Sequence, residues 1–348
     1  MALLRPAALA VAGPVTALWF LAPAAAWWLS RPIRPARPRL SGDDQAFLRT
    51  VARRTWRFFE SFVGAEDHHL PPDNFQEDPP RGSAHRTSPT NIGLYLTSTL
   101  AAYDFGYCSA GDVAERLSLT LATLDQMQRH RGHFYNWYDT ITLEPLRPMY
   151  VSTVDSGNLA GHLLTLASGL EEIEQLPILR PAIFSGLVDT LEVLAEISAS
   201  SPAAARESAR LRAGLRTIPT TLSASYRLLA QLSEGARELT RAAAGQGVSE
   251  AAWWANAFEA QVRRALEELA HMAPWVALPA PADARLDEAL TLGETARLEQ
   301  LMPSLEDEGL RAAVSLASER AATRIGELRL LAARCRELAD LDYELLYD

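Results

Sequence analysis

Residues 88–106 read SPTNIGLYLTSTLAAYDFG. Ser88 followed by Pro89 marks a helix start. The hydroxyl can accept from an unpaired N–H, and a proline in the first turn has no N–H to leave unsatisfied. Ile92, Leu94, Tyr95, Leu96 and Leu100 follow before Gly106 closes the stretch. The same grammar recurs on both sides. Upstream, Ser41-Gly42-Asp43-Asp44 is a second cap, and Phe47, Leu48, Val51, Thr55, Phe58, Phe59 and Phe62 form a helical stripe after it. Downstream, Ser109 with Asp112 opens a third helix carrying Leu117, Leu121 and Leu124. A fourth is expected from Val154 to about Gln175, stopped near Pro177. Residues 64–86 and 129–152 read as loops, the latter with room for a short strand pair. No convincing strand pattern appears elsewhere, so the class expected is all-α.

Beyond residue 180 the texture changes. Ala, Leu, Arg and Glu dominate, broken by Pro202, Pro219, Pro274, Pro279 and Pro281. Long helices are expected here, the last from about Ser304 to Tyr347, arranged as a hairpin or bundle.

The whole chain has 348 residues and a net charge of −10, which argues against a general nucleic-acid binder. All 33 basic residues are Arg, which reads as codon bias rather than mechanism. Cys108 and Cys335 lie far apart without a CxxC, which suits a reducing compartment. The N-terminus differs in kind. Ala7 to Leu29 carries no charge and is long enough to cross a hydrocarbon core of about 30 Å, although Pro14 and Pro23 weaken the helix. Trp19, Phe20, Trp27 and Trp28 gather toward its far end, suited to an interface. Arg31, Arg34, Arg37 and Arg39 follow, against Arg5 alone before it, which places everything after residue 30 in the cytoplasm. The stretch RPIRPARPR, residues 31–39, reads as a stiff linker. A cleaved signal is the competing reading of the apolar leader.

Four stretches could carry chemistry: LPPDNFQE (70–77), AHRTSPTNIGLYL (84–96), RGHFYNWYDT (131–140) and YVSTVDSGNLAGH (150–162). Each sits in a loop or at a helix start. Rings beside carboxylates and amides suit sugars, whose C–H faces stack and whose hydroxyls need fixed partners. Asp73, Asn74, His85, Arg86, Asn91, His133, Tyr135, Asn136, Trp137, Tyr138, Asp139, Asp155 and Asn158 are the candidate contacts. Four rings in five positions cannot all face inward from one element, so at least one should line a cleft. Asp139 and Asp155 are the best local carboxylate pair, with Asp73 third. Retaining glycoside chemistry needs such a pair about 5 Å apart and inverting chemistry about 6.5–9.5 Å apart. Asp155 or Ser152 could equally cap the following helix. His68, His69, His130 and His133 lack the spacing of a metal site, so no metal and no cofactor is expected.

In this order, TWRFFESFV, LPPDNFQE, AHRTSPTNIGLYL, GHFYNWYDT and VSTVDSGNLAGH resemble the glycoamylase-like middle region of the cyclic β-1,2-glucan synthases of Gram-negative bacteria. The likeness is dense over residues 44–170. WFLAPAAAWWLSRP resembles the end of the last membrane segment before that region, and ELADLDYELLYD the point where it resumes after a helical insertion. The resemblance implies a membrane segment over 1–30 and an Arg/Pro linker over 31–42. It implies part of an (α/α)6 barrel over 43–178 and a helical bundle or insertion over 179–348. Those enzymes elongate β-1,2-glucan from UDP-glucose in a membrane-embedded part. They close it into a ring by transglycosylation in the glycoamylase-like region, and a phosphorylase-like part adjusts length. The chain then reads as an inner-membrane fragment, inactive alone, that binds β-1,2-glucan and works with the remaining parts of the synthase. Its main catalytic glutamates would lie beyond Asp348. Two rivals remain: a stand-alone membrane-anchored glucan hydrolase using Asp139, Asp155 and Asp73, and a non-catalytic helical scaffold.

Overall fold

The structure is a computed structural model that describes residues 9–31, 40–197, 202–244, 249–278, 284–302 and 305–346. Arg34, Arg37, Arg39, Pro279, Pro281, Ser304 and Tyr347 lie outside the described residues, as does most of the expected linker. The chain divides into two compact units, residues 1–45 and 46–348.

In the first unit, α1 (Leu9–Leu29) continues through Pro14 and Pro23 as one helix. Its stretch Ala12–Leu29 is long and apolar enough to cross a membrane, and none of it is buried. Its large side chains, among them Leu18, Trp19, Phe20, Trp27 and Trp28, are exposed. Arg31 follows, its guanidinium 4.0 Å from the centre of the Trp27 ring. The unit closes on the expected cap: Asp44 accepts from the Ser41 N–H (2.9 Å) and hydroxyl (2.8 Å), and its own N–H donates back to Ser41 Oγ (3.1 Å). From here α2 (Gly42–Phe62) runs into the second unit.

Among its described residues the second unit is all-α apart from three antiparallel ribbons of two-residue strands: β1 (Phe75–Gln76) with β2 (Gly82–Ser83), β3 (Arg86–Thr87) with β6 (Tyr138–Asp139), and β4 (Arg129–His130) with β5 (His133–Phe134). The helix α3 (Pro89–Phe105) starts where the sequence says, with Ser88 Oγ accepting from the Asn91 N–H at 3.2 Å. It ends at Gly106, whose φ of +81° is the left-handed cap geometry that favours glycine. The next helix, α4 (Ala110–Gln126), opens on a reciprocal Ser109–Asp112 capping box. Then α5 (Thr153–Glu172) packs along α3, with Gly93 giving room to His162 and Gly169 to Leu100.

The remaining helices are α6 (Ala182–Ile197), α7 (Pro202–Gly214), α8 (Leu222–Ala244), α9 (Glu250–Met272), the short α10 (Leu292–Thr295) and α11 (Leu298–Leu301), and α12 (Glu308–Ala339). Buried side chains fall into two cores. One is built on α3, α4, α5 and the second half of α12, with Ile92, Leu96, Leu117, Leu163 and Leu328 inside. The other is built on α6 to α9 and the first half of α12, with Leu191, Leu229, Trp254, Phe258 and Val314 inside. Thus α12 is shared by both. It stops at Ala339, short of the expected Tyr347, because the chain then turns to carry Asp342 to the 131–133 turn.

Most of the stripe expected on α2 does not face the core, although Phe59 packs there against the buried Tyr95 ring at 5.3 Å. The buried residues of α2 are Arg53 and Trp56, while Phe47, Leu48 and Val51 are exposed. The cause is a polar seam. Arg53 donates to Thr190 Oγ1 (2.8 Å) and Glu60 Oε2 (2.7 Å) and lies over the Trp254 ring at 4.9 Å. Thr190 in turn donates to Gln261, and Gln261 donates to the Gly106 carbonyl. Beside it, Asp189 takes Arg49 at 2.7 Å and the Tyr107 hydroxyl at 3.0 Å. A buried guanidinium must be met on several sides, and this requirement sets the rotation of α2.

Candidate functional site

The four singled-out stretches meet. The β1–β2 hairpin returns the chain so that Arg86 lies beside Asp73. The Asp73 N–H donates to the Arg86 carbonyl (2.7 Å), and Arg86 Nε and Nη2 both reach Asp73 Oδ2 (3.1 and 2.8 Å). Asn74 and Asn91 donate to the same carboxylate, at 3.0 and 3.4 Å. Pairing of β3 with β6 puts Arg86 opposite Asp139, and the Arg86 guanidinium lies 5.0 Å from the centre of the Trp137 ring. Asn136 carries the chain of contacts onward. With its side-chain amide turned to the orientation that satisfies its neighbours, its oxygen accepts from the Trp137 indole N–H and the Tyr150 hydroxyl, each at 2.7 Å, and its nitrogen donates to Asp155 Oδ2 at 2.9 Å. Asn158, one turn further along α5, donates to Thr90 Oγ1 at 3.2 Å. Asp73, Asn74, Asn91, Arg86, Trp137, Asn136 and Asp155 are therefore one continuous set of contacts on the rim above α3 and α5.

Asp155 is free for this role because Ser152 does the capping, its Oγ accepting from the Asp155 N–H at 3.2 Å. Two candidates are elsewhere. His133 is buried, with Nε2 donating to the Asp342 carbonyl (2.7 Å) and Nδ1 accepting from Ser156 Oγ (3.1 Å). Tyr138 is buried as well: its hydroxyl donates to the Gln128 carbonyl (2.6 Å) and accepts from the Tyr135 N–H (2.7 Å). Neither presents a polar atom to a ligand; both hold the loop together. Of the four rings, Phe134 and Tyr138 are buried and Tyr135 and Trp137 half-buried, so only the latter two border solvent.

Asp139 also serves the loop. Its Oδ1 accepts from the N–H groups of Ile141 (2.9 Å) and Thr142 (2.8 Å), chiefly the latter holding its pKa below the usual carboxylate range. A general acid needs the opposite shift, so Asp139 does not fit that part. His85 is half-exposed and its Nδ1 meets Asp67 Oδ1 at 2.8 Å; this hydrogen bond raises the His85 pKa. Asp67 is buried and takes the Thr140 hydroxyl too. The sequence reading missed Asp67, Tyr150 and Thr90. Asp67 stands beside His68 and His69, where the histidines drew attention away from the carboxylate that organises the loop.

Of the described carboxylates whose pKa clearly departs from the ordinary value, only Glu268 is raised, by burial against the opposing pull of Arg324. It belongs to a different place, a polar cleft of about 760 Å³ between α4, α9 and α12 that none of the four stretches lines. There Glu268 accepts from the Gly111 N–H (3.2 Å) and Arg324 (3.0 Å). Among the described residues no group of three or more His, Cys, Asp or Glu side chains is placed to hold a metal ion. The rim thus offers fixed acceptors, a guanidinium, amides and ring surface, the equipment for binding a hydroxyl-rich ligand.

No known family model matches the chain. Over 166 residues it is 48% identical to the cyclic beta-(1,2)-glucan synthase NdvB of Rhizobium meliloti. That stretch covers 47% of this chain and only 6% of the relative's length. A solved structure described as a glucoamylase of Bacteroides fragilis is similar over 40% of this chain and 34% of its own, at 22% identity and a TM-score of 0.33.

Proposed function

We propose that the chain is a glucan-binding part of a larger cyclic β-1,2-glucan synthase, contributing to the region that closes the polymer into a ring. The sequence likeness to the Rhizobium meliloti enzyme supports the substrate class. The observation that carries the reading is the unbroken contact set from Asp73 through Arg86, Trp137 and Asn136 to Asp155. Four stretches separated in sequence converge there, and their side chains match what a glucose polymer requires: acceptors and donors held in place, with ring area beside them. On this reading Asp73, Asp155 and Arg86 fix hydroxyls, Trp137 and Tyr135 supply stacking, and Asn74 and Asn158 border the groove. Bond cleavage and transfer belong to carboxylates supplied by the rest of the synthase. The helix α1 spans the bacterial inner membrane and residues after 30 lie in the cytoplasm, a reading supported by the apolar Ala12–Leu29 stretch and the arginines that follow it.

The test is calorimetric titration of the full chain, in detergent or nanodiscs, with linear β-1,2-glucan. Saturable binding is expected, weakened at least about tenfold by Trp137→Ala and by Asp155→Asn, since each tenfold corresponds to about 1.4 kcal/mol, the scale of one charged hydrogen bond or stacked ring. Absence of binding by the folded chain, or binding that both variants leave unchanged, overturns the reading.

A further inference from the structure

The rim does not account for the outward face of α2. Phe47 is 66% exposed, Leu48 49% and Val51 42%. The same face continues through Thr55 to the half-buried Phe58 and Phe62, whose rings lie 5.2 Å apart. Phe62 stacks on the exposed Phe75 of the β1–β2 hairpin at 4.6 Å. No charged residue interrupts the positions 47, 48, 51, 55, 58 and 62. Surface helices ordinarily turn such a stripe inward. Here α2 cannot rotate to do so, because Arg53 on the opposite side is fixed by Thr190, Glu60 and the Trp254 ring. A ridge of phenylalanine, leucine and valine is left uncovered, and contiguous exposed apolar surface marks an interaction site.

We propose that this ridge lies in the headgroup region of a lipid bilayer. The proposal rests on the reading of α1 as a membrane span. Only residues 30–41 separate α1 from α2 in the sequence, and a segment of that length reaches at most about 40 Å when fully extended. A bilayer entered by α1 is thus always within reach of the ridge. The composition fits the lipid interface, where Phe and Leu on one side of a helix sink among the acyl chains while arginines beside them keep their heads in water. Arg54 occupies such a flanking place, paired with Glu196.

Fluorescence quenching in the full chain tests this. Cys108 and Cys335 are both buried, so an introduced cysteine carries the label. A fluorophore is placed in turn at Leu18→Cys in α1, Val51→Cys on the ridge and Leu330→Cys on α12, where Leu330 is exposed. The protein is reconstituted in vesicles of mixed phosphatidylcholine and phosphatidylglycerol, some carrying nitroxide on the acyl chain. Quenching of Leu18→Cys and Val51→Cys by the nitroxide lipid, but not of Leu330→Cys, is expected. Quenching of Leu18→Cys alone overturns the ridge proposal and leaves the span standing. In that case access of iodide to Val51→Cys means a solvated ridge, and shielding from both quenchers means a protein cover, with energy transfer between labelled copies identifying a second chain. No lipid quenching at Leu18→Cys overturns the span and the proposal together.

Discussion

At Arg53 the stability of the unit rests on a charge. Its side chain is 1% exposed and bonds Glu60 on its own helix and Thr190 on the distant α6. Arg53→Met keeps the volume but strands Glu60 and Thr190, and should destabilise by about 3 kcal/mol, measured by urea unfolding. At His85 the bond to Asp67 favours the charged imidazole, so its stabilising contribution is fully present below the ordinary histidine pKa and is lost as pH rises through the raised value. Proton NMR titration of the His85 ring should show the raised midpoint, and Asp67→Asn should return it toward the ordinary one; an unmoved midpoint would mean the pair does not control it. Asp139 behaves in the opposite sense. Its lowered pKa makes its contribution present above the unfolded carboxylate range and lost as pH falls. Acid unfolding of Asp139→Ala should accordingly show a weaker pH dependence than the parent. Little of this was visible beforehand. Asn136, Trp137 and Asp155 stand out by residue type, but the burial of His133 and Tyr138 depends on partners at Asp342 and Gln128 that the local sequence does not announce.

Among the elements, helix starts were the most legible part. Ser41, Ser88, Ser109 and Ser152 each accept from a backbone N–H three residues on, because capping is local chemistry. The facing of a helix is not local. The period of α2 reveals an apolar side, but which side meets the core was decided by Thr190, Trp254 and Gln261, more than a hundred residues away. The crossing of α3 and α6 shows the same dependence. A Cβ at Gly106 would overlap the Ala182 carbonyl, and φ there is +81°. Gly106→Ala should therefore cost about 3 kcal/mol or more, from backbone strain and overlap together, with thermal unfolding as the readout.

Across the whole second unit, α12 contributes Val314 and Ala317 to one core and Ala321 and Leu328 to the other. Disturbance at the junction should be felt on both sides. Ala317→Asp, which buries a carboxylate at a fully covered position, should raise hydrogen exchange in α5 as well as in α9; a rise in α9 alone would show that the two cores open independently. The shared helix also has a consequence for how the protein is made. The turn at residues 131–133 is tied to Asp342 three times, through the His133 imidazole, through an Arg131 ion pair and through the Asp342 N–H, which donates to the Arg131 carbonyl at 3.4 Å. During synthesis the aromatic loop must wait, unfinished, while more than two hundred further residues leave the ribosome. Closing so long a loop comes late in folding, so the rim this loop completes is among the last parts of the nascent chain to acquire its final form.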